Sequence, residues 1–378
     1  MAFNPGIDLP AISAKNTRID GQGDRRMPQL DTLRAFAIGL VIVAHWFPHN
    51  AVTQTVPLGM LGVTLFFVLS GFLITQILLQ ARVATEAAGD DQARALGRFY
   101  ARRTLRIFPV YYLTLALLFL SGVDDFRGDI GWYLGYAANV LFYRAQAWVG
   151  PAPHLWTLSV EEQFYIFWPW VILFAARRHL RKIILATILI GPLARALLFH
   201  FSDGSDQASN FAHVLTPSCM DCFGLGALLA YQRVHVDHVF RFAGWRWWLF
   251  VVVNALSMLW LMPSYAMTSV LLFRLNVAVL ALALIDRASL GIGGPARRLL
   301  ENPALIYVGR ISYGMYLFHL FIPDLYAWLR LPVFAQSGLM FVAWLILLLL
   351  LATLSWQLLE KPLNSLKKRY PASAEIGG

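Results

Sequence analysis

Two ionisable residues stand eleven positions apart in one apolar run, Leu33-Arg34-Ala35 through Ala44-His45-Trp46. On an α-helix eleven positions turn through about 1100°, three turns and roughly 20°, so Arg34 and His45 share a face about 16 Å apart along the axis. A charge inside an apolar span costs several kcal/mol and marks a functional site by default. An imidazole is also poised to move protons near neutral pH. The structural alternative has Arg34 snorkelling to the cytoplasmic face and His45 hydrogen-bonding at the outer interface.

Further groups of the same kind follow. Arg102-Arg103-Thr104-Leu105-Arg106 precedes Ile107-Phe108-Pro109 and is expected to open a span. Arg103 and Arg106 share a face there, and a helix N-terminus with guanidinium forks favours phosphate; a charge anchor at the membrane surface explains them equally. His154-Leu155-Trp156-Thr157-Leu158-Ser159-Val160-Glu161-Glu162-Gln163-Phe164-Tyr165 is expected to start another helix. Carboxylates sit comfortably at such a start. Glu161 and Glu162 point about 100° apart, so at most one faces a shared site. His154, Trp156 and Tyr165 add candidates on the outer side. Near the end of the chain, Ser312, Tyr316 and His319 fall close to one stripe, with His319 approaching the outer face as His45 does. Ser70 and Gly71 permit close helix approach. Cys219 and Cys222 cannot complete a tetrahedral zinc site, and no other Cys or His has ligand spacing, so they read as packed small residues and no metal site is expected.

The elements that must position these residues are membrane helices. Of 378 residues, 58% are hydrophobic and 14% charged, with a mean hydropathy of +0.58; a soluble domain carries about a quarter charged residues. Apolar runs long enough to cross hydrocarbon, roughly 20 residues, recur at Leu30–Pro48, Leu58–Leu79, Ile107–Leu120, Val160–Ala176, 183–201, 212–231, 246–261, 267–285, 303–323 and 337–357. The fold class expected is all-α: a polytopic helical bundle of about ten transmembrane helices with both termini cytoplasmic. On that scheme 25 of the 31 Lys and Arg residues are cytoplasmic, Arg127, Arg144 and Arg330 lie outside, and Arg34, Arg195 and Arg274 lie within spans. The net charge of +10 thus follows the positive-inside pattern and is no nucleic-acid footprint. Residues 126–159, rich in Trp and Tyr, must stay on the outer side as an interfacial or re-entrant segment. Residues 1–28 show no apolar leader and are expected to be a disordered cytoplasmic tail. A transmembrane domain is expected over 29–362 and a second cytoplasmic tail over 363–378.

Together these motifs resemble the membrane-bound acyltransferase-3 family, which includes bacterial O-antigen and exopolysaccharide O-acetyltransferases and macrolide acyltransferases. The likeness covers about residues 29–362 and rests on six motifs in order. They are Leu33-Arg34-Ala35 with His45, Phe67-Val68-Leu69-Ser70-Gly71-Phe72, Arg103 with Arg106 before Pro109, Trp156 through Tyr165, Ser312 through Tyr316 before His319, and Glu360-Lys361-Pro362. The resemblance implies acyl transfer, commonly acetyl from acetyl-CoA, to a hydroxyl of a sugar or small molecule. It points to His45 as the catalytic histidine and to Arg34, Arg103 and Arg106 in donor handling, where Arg102 and Ser70 are further candidates. Some members carry a C-terminal extracytoplasmic SGNH hydrolase-like domain, which this chain is expected to lack.

The expected reaction uses an acyl-CoA as co-substrate, with no cofactor bound permanently. His45 would act as general base, and Glu161 or Glu162 would orient it or bind acceptor hydroxyls. The acceptor is a sugar, glycan or glycosylated small molecule, taken from the outer side of the inner (plasma) membrane by groups such as His154, Trp156, Tyr165, Tyr316 and His319. A multi-pass transporter or flippase is the competing class, although no internal symmetry of the kind transporters show is evident.

Overall fold

The computed structural model describes residues 27–47, 51–122, 124–201, 211–235, 245–261, 267–334 and 337–370; among them are helices and turns but no strands. Most of the two expected tails, 1–26 and 371–378, lies outside the described residues.

Helix α1 (Pro28–Trp46) begins with a proline, which fits a first turn because its missing N–H has no helical partner there. Helix α2 (Leu58–Ala88) runs for 31 residues and stops at Gly89, whose φ of +63° is the left-handed cap that glycine adopts without strain. Helix α3 (Gln92–Leu120) starts where the Asp91 carboxylate accepts a hydrogen bond of 2.9 Å from the Ala93 N–H. The expected start at Ile107 is therefore corrected: the basic segment before it is helix, capped by Asp91. A run of apolar residues marks where a helix enters hydrocarbon, not where the helix begins.

Residues 126–159 form two helices, α4 (Asp124–Leu134) and α5 (Ala138–Ala145), of 11 and 8 residues. Neither reaches the roughly 20 residues a crossing needs. A 3-10 turn at Pro153–Leu155 then leads into α6 (Trp156–Phe174). Glu161 and Glu162 consequently sit in the second turn of α6, one turn deeper than expected. The rest of the bundle is α7 (Arg177–Phe201), α8 (Met220–His235), α9 (Trp245–Leu261), α10 (Met267–Leu290), α11 (Pro303–Phe318) and α12 (Ser337–Ser355).

Among the described residues, five helical stretches are long and apolar enough to cross a membrane: Leu58–Ala88, Gln92–Leu120, Arg177–Phe201, Pro303–Trp328 and Ser337–Ser365. The last carries an outward stripe of Leu339, Val342, Ile346, Leu350 and Leu354, each about half exposed. Spacings of three and four put them on one face, and such a face is stable against lipid tails rather than water.

The core is assembled around α2, and small residues set its spacing. A Cβ on Gly71 would overlap the backbone of Phe223, and one on Gly226 would overlap the backbone of Val68 and Phe72, so α2 and α8 touch main chain to main chain. Gly62 lets α2 close on α1, where a Cβ would meet Val41 Cγ2 at 2.9 Å. Gly309 on α11 lies directly against the Asp31 carbonyl of α1. These contacts leave α1, α2 and α11 in fixed register, with α3 and α6 closing the other side.

Candidate active site

Five helices surround a cavity of about 240 Å³, and most of the residues singled out by spacing line it. Helix α1 supplies Arg34, α2 Ser70, α3 Arg103 and Arg106, α6 Glu161 and Tyr165, and α11 Ser312 and Tyr316. Of the two adjacent carboxylates Glu161 faces the cavity, in keeping with the expectation that at most one would; Glu162 is buried away from its lining. Ser70 Oγ donates to Glu161 Oε1 at 3.1 Å, and the Tyr165 hydroxyl lies 2.9 Å from both Glu161 Oε2 and Ser70 Oγ. The Arg103 guanidinium stacks 3.8 Å over the Tyr165 ring. Arg34 pairs with Asp31 at 2.5 Å.

Arg103 and Arg106 lie about three and four turns inside α3. A helix dipole fades within the first turn, so the expected N-terminal contribution is absent and any preference for anions comes from the guanidiniums. Both also line a second cavity of about 110 Å³, together with Arg98, Arg102 and Lys367. Arg102 faces this second space, and its Nη1 donates to the Tyr370 carbonyl at 3.0 Å. Burial, and then Arg106, Arg103 and Arg102 beside it, bring the Lys367 ammonium down to about 7. Among the described residues, no carboxylate lies within ion-pair distance of Arg103, Arg106 or Lys367.

The histidines gather just beyond Tyr316. His45 Nδ1 is 2.9 Å from the Val41 carbonyl and 3.3 Å from His319 Nε2. His319 Nδ1 is 2.6 Å from the Tyr316 carbonyl, and His154 Nε2 is 3.1 Å from that of Leu317. The His154 and His319 rings meet edge to face at 5.0 Å. Tyr316 joins the two regions: its ring forms part of the cavity wall, and its hydroxyl lies 2.6 Å from Thr157 Oγ1 and donates to the His154 carbonyl at 2.9 Å. His45 is exposed and lies outside the lining of the first cavity. The ring nitrogens turn to carbonyls and to each other, and no group of His, Cys, Asp and Glu among the described residues has metal-holding geometry.

Some expected partners stay apart. Glu161 bonds Ser70 and Tyr165, whereas the bonds of His45 go to Val41 and His319. Trp156 packs edge-on against Phe67 and His213 and does not reach the cavity. Tyr165 belongs with the arginines and not with the histidines. The spacing rules missed Arg98, Thr157, Tyr313 and Lys367. Thr157 and Tyr313 lie inside motifs already singled out, and Arg98 stands one turn before Arg102. Lys367 comes from the far end of the chain and carries no local signal.

The chain belongs to the acyltransferase-3 family: the family's model, described as an acyltransferase domain, matches residues 27–360. It is similar to "O-acetyltransferase OatA" of Staphylococcus aureus (strain NCTC 8325 / PS 47), 28% identical over 386 residues, covering 93% of this chain and 59% of that protein. It is likewise similar to "Putative peptidoglycan O-acetyltransferase YrhL" of Bacillus subtilis (strain 168), 28% identical over 378 residues, covering 91% of this chain and 56% of that protein. The chain thus spans less than two thirds of the length of these relatives. No solved structure matches it.

Proposed function

We propose that this chain is a multi-pass O-acyltransferase of the inner membrane that moves an acetyl group from cytoplasmic acyl-CoA to a hydroxyl of a glycan-type acceptor on the outer side. The carrying observation is the run of cationic side chains Arg103, Arg106 and Lys367, with no carboxylate within ion-pair distance among the described residues, bordering two cavities, the larger of which is lined by Tyr316 next to the histidines. Polyphosphate is the natural counter-charge for such a cluster, because guanidinium forks match phosphate oxygens. The glycan acceptor and the acetyl group are supported by the printed names of the relatives. The topology goes with this reading: about ten crossings, both ends cytoplasmic, and α4 and α5 at the outer interface, as the distribution of basic residues favours.

The nucleotide end of the donor sits in the smaller cavity against Arg98, Arg102, Arg103, Arg106 and Lys367. Its pantetheine arm follows the larger cavity past Arg34 toward His45, a reach of about 16 Å along α1. His45 takes the proton of the acceptor hydroxyl. The oxygen then attacks the thioester carbonyl, the C–S bond breaks as the new C–O bond forms, and the departing thiolate recovers the proton from the imidazolium. Glu161, held by Ser70 and Tyr165, keeps the arginine side of the cavity polar without touching His45.

The test is transfer of label from acetyl-CoA to a mixed glycan pool by the purified full chain. His45→Ala should lower turnover by about 10²–10⁴-fold, the usual worth of a positioned base. Undiminished transfer by His45→Ala would overturn the catalytic role. A wild-type protein that neither binds acetyl-CoA nor transfers label would overturn the donor.

A further inference from the structure

Resting on the reading of His45 as the base, we propose that His319 is a positioning residue that fixes His45 in the tautomer protonated on Nδ1, so that Nε2 is the atom that accepts the substrate proton. The chain of contacts leaves one neutral arrangement. His319 Nδ1 faces the Tyr316 carbonyl at 2.6 Å and must donate to it, because a carbonyl oxygen only accepts. His319 Nε2 is then bare and accepts. His45 Nδ1 faces two acceptors, the Val41 carbonyl at 2.9 Å and this bare Nε2 at 3.3 Å, so it carries the proton and shares it between them. Reversing the tautomers would set a lone pair of His319 against the Tyr316 carbonyl and a lone pair of His45 against the Val41 carbonyl. Two repulsive contacts would replace two hydrogen bonds.

The surroundings hold His319 in this role. It is fully buried. The Trp46 indole donates to its carbonyl at 3.0 Å, and the His154 ring closes its side at 5.0 Å. It cannot swing away without breaking the Tyr316 bond. His45, by contrast, is exposed, with both of its bonds on Nδ1, which leaves Nε2 open to a substrate. The network runs from the Tyr316 carbonyl through two imidazoles to the reacting atom. Position 319 thus joins the Val41 carbonyl in holding the proton on Nδ1 and alone ties the position-45 ring to another helix, in the way an oriented third group supports a nucleophile and its base.

Two polar substitutions separate this role from simple structural support. In His319→Gln the side-chain oxygen reaches the place of Nε2 and can accept from His45. In His319→Asn the amide reaches only the place of Nδ1 and keeps the bond to the Tyr316 carbonyl. Steady-state transfer by the full chain is measured for both, beside His319→Leu, His45→Ala and the His45→Ala/His319→Leu double variant. The Gln variant should keep kcat within about 3-fold of wild type, whereas Asn and Leu lose about 10²-fold, part of what a positioned base supplies. KM for acetyl-CoA should stay within about 2-fold throughout, as expected when only a transition-state contact is lost. The double variant should be no slower than His45→Ala alone, because the two residues act as one unit. An Asn variant as fast as Gln, or faster, would show that only the Tyr316 bond matters and would overturn the inference. If Asn fails to fold, a Gln variant as slow as Leu overturns it equally. His45→Ala as active as wild type would sink the base assignment itself, a result distinct from any ordering of the position-319 variants.

Discussion

Two groups of arginines in this protein have opposite surroundings. Between α7, α8 and α10, Arg195 meets Asp221 through both nitrogens, Nη2–Oδ2 at 2.7 Å and Nη1–Oδ1 at 3.2 Å, and adds the Ser218 carbonyl at 2.5 Å. Arg274 next to it donates to the His213 carbonyl at 2.9 Å and to Cys219 Sγ at 3.1 Å. Every residue of this knot faces another residue of the chain. On α3, half-buried Arg103 and exposed Arg106 face open volume, a tyrosine ring, further cations and, beyond ion-pair distance, the Glu161 carboxylate on the same cavity. A buried charge needs a counter-charge or a strong dipole. The first group has its counter-charge built in as Asp221, which makes it structural. The second is not buried in this way and has no carboxylate within ion-pair distance among the described residues, which leaves it open to an anionic ligand. Intramembrane arginines alone do not distinguish these cases; the presence of a carboxylate within reach does.

The largest effect that can break this comparison falls on the closed group. Asp221→Asn would leave Arg195 and Arg274 buried without their carboxylate. Removing one partner of a buried pair costs about 3–5 kcal/mol. Thermal unfolding of the purified protein in detergent should record a loss of that order, while surviving protein should bind acetyl-CoA as wild type does. Wild-type stability for Asp221→Asn would mean that the knot is not what neutralises these charges.

The open group should respond the other way round. Arg103→Gln removes a half-buried cation that no carboxylate meets at ion-pair distance among the described residues, so stability should change by less than about 1 kcal/mol. Donor affinity should fall about 10–100-fold, because a hydrogen bond to a charged group contributes about 1.5–3 kcal/mol. Isothermal titration with acetyl-CoA checks this. A large stability loss with unchanged affinity would move Arg103 into the structural class with Arg195.

The same contrast explains what could be read in advance. The apolar runs were legible because hydrocarbon thickness fixes their length: among the described residues most of each is helical, although the 212–231 run opens in turns and a 3-10 segment, and five stretches are long and apolar enough to cross a membrane. The start of α3 was not, because Gln92–Arg106 is amphipathic and basic, and its signal is one capping aspartate, Asp91. Arg34, Ser70, Arg103, Arg106, Glu161, Tyr165 and Tyr316 do meet around one space, and His45, His154 and His319 meet beside it. Spacing along single helices identified each residue but said nothing of which helices adjoin. The pairing of His45 with His319 therefore needed the contacts of α1 with α11. Trp156 was assigned to the acceptor from its residue type and instead fills core against Phe67. Lys367 needed the chain end to fold back beside α3.

The smallest effect, and the one that sharpens the comparison most, concerns Lys367. An ammonium brought down to about 7 by burial and by Arg106, Arg103 and Arg102 is charged below that pH and neutral above it. An anionic donor favours the charged form, so the contribution of Lys367 to binding is present at pH 6 and lost by pH 8. The guanidiniums around it keep their charge across that interval. The donor's own phosphate monoester, with a second pKa near 6, gains charge in the same interval and works in the opposite direction. Comparing wild type with Lys367→Met cancels this second effect, because both proteins meet the same donor. Equilibrium binding without acceptor also keeps the protonation of His45 out of turnover. The ratio of variant to wild-type Kd should be about 2–5 at pH 6, the worth of one partly screened charge pair, and should fall to about 1 at pH 8. A ratio that stays constant with pH would mean that Lys367 does not face the donor, and the counter-charge of the open group would then rest on the α3 arginines alone.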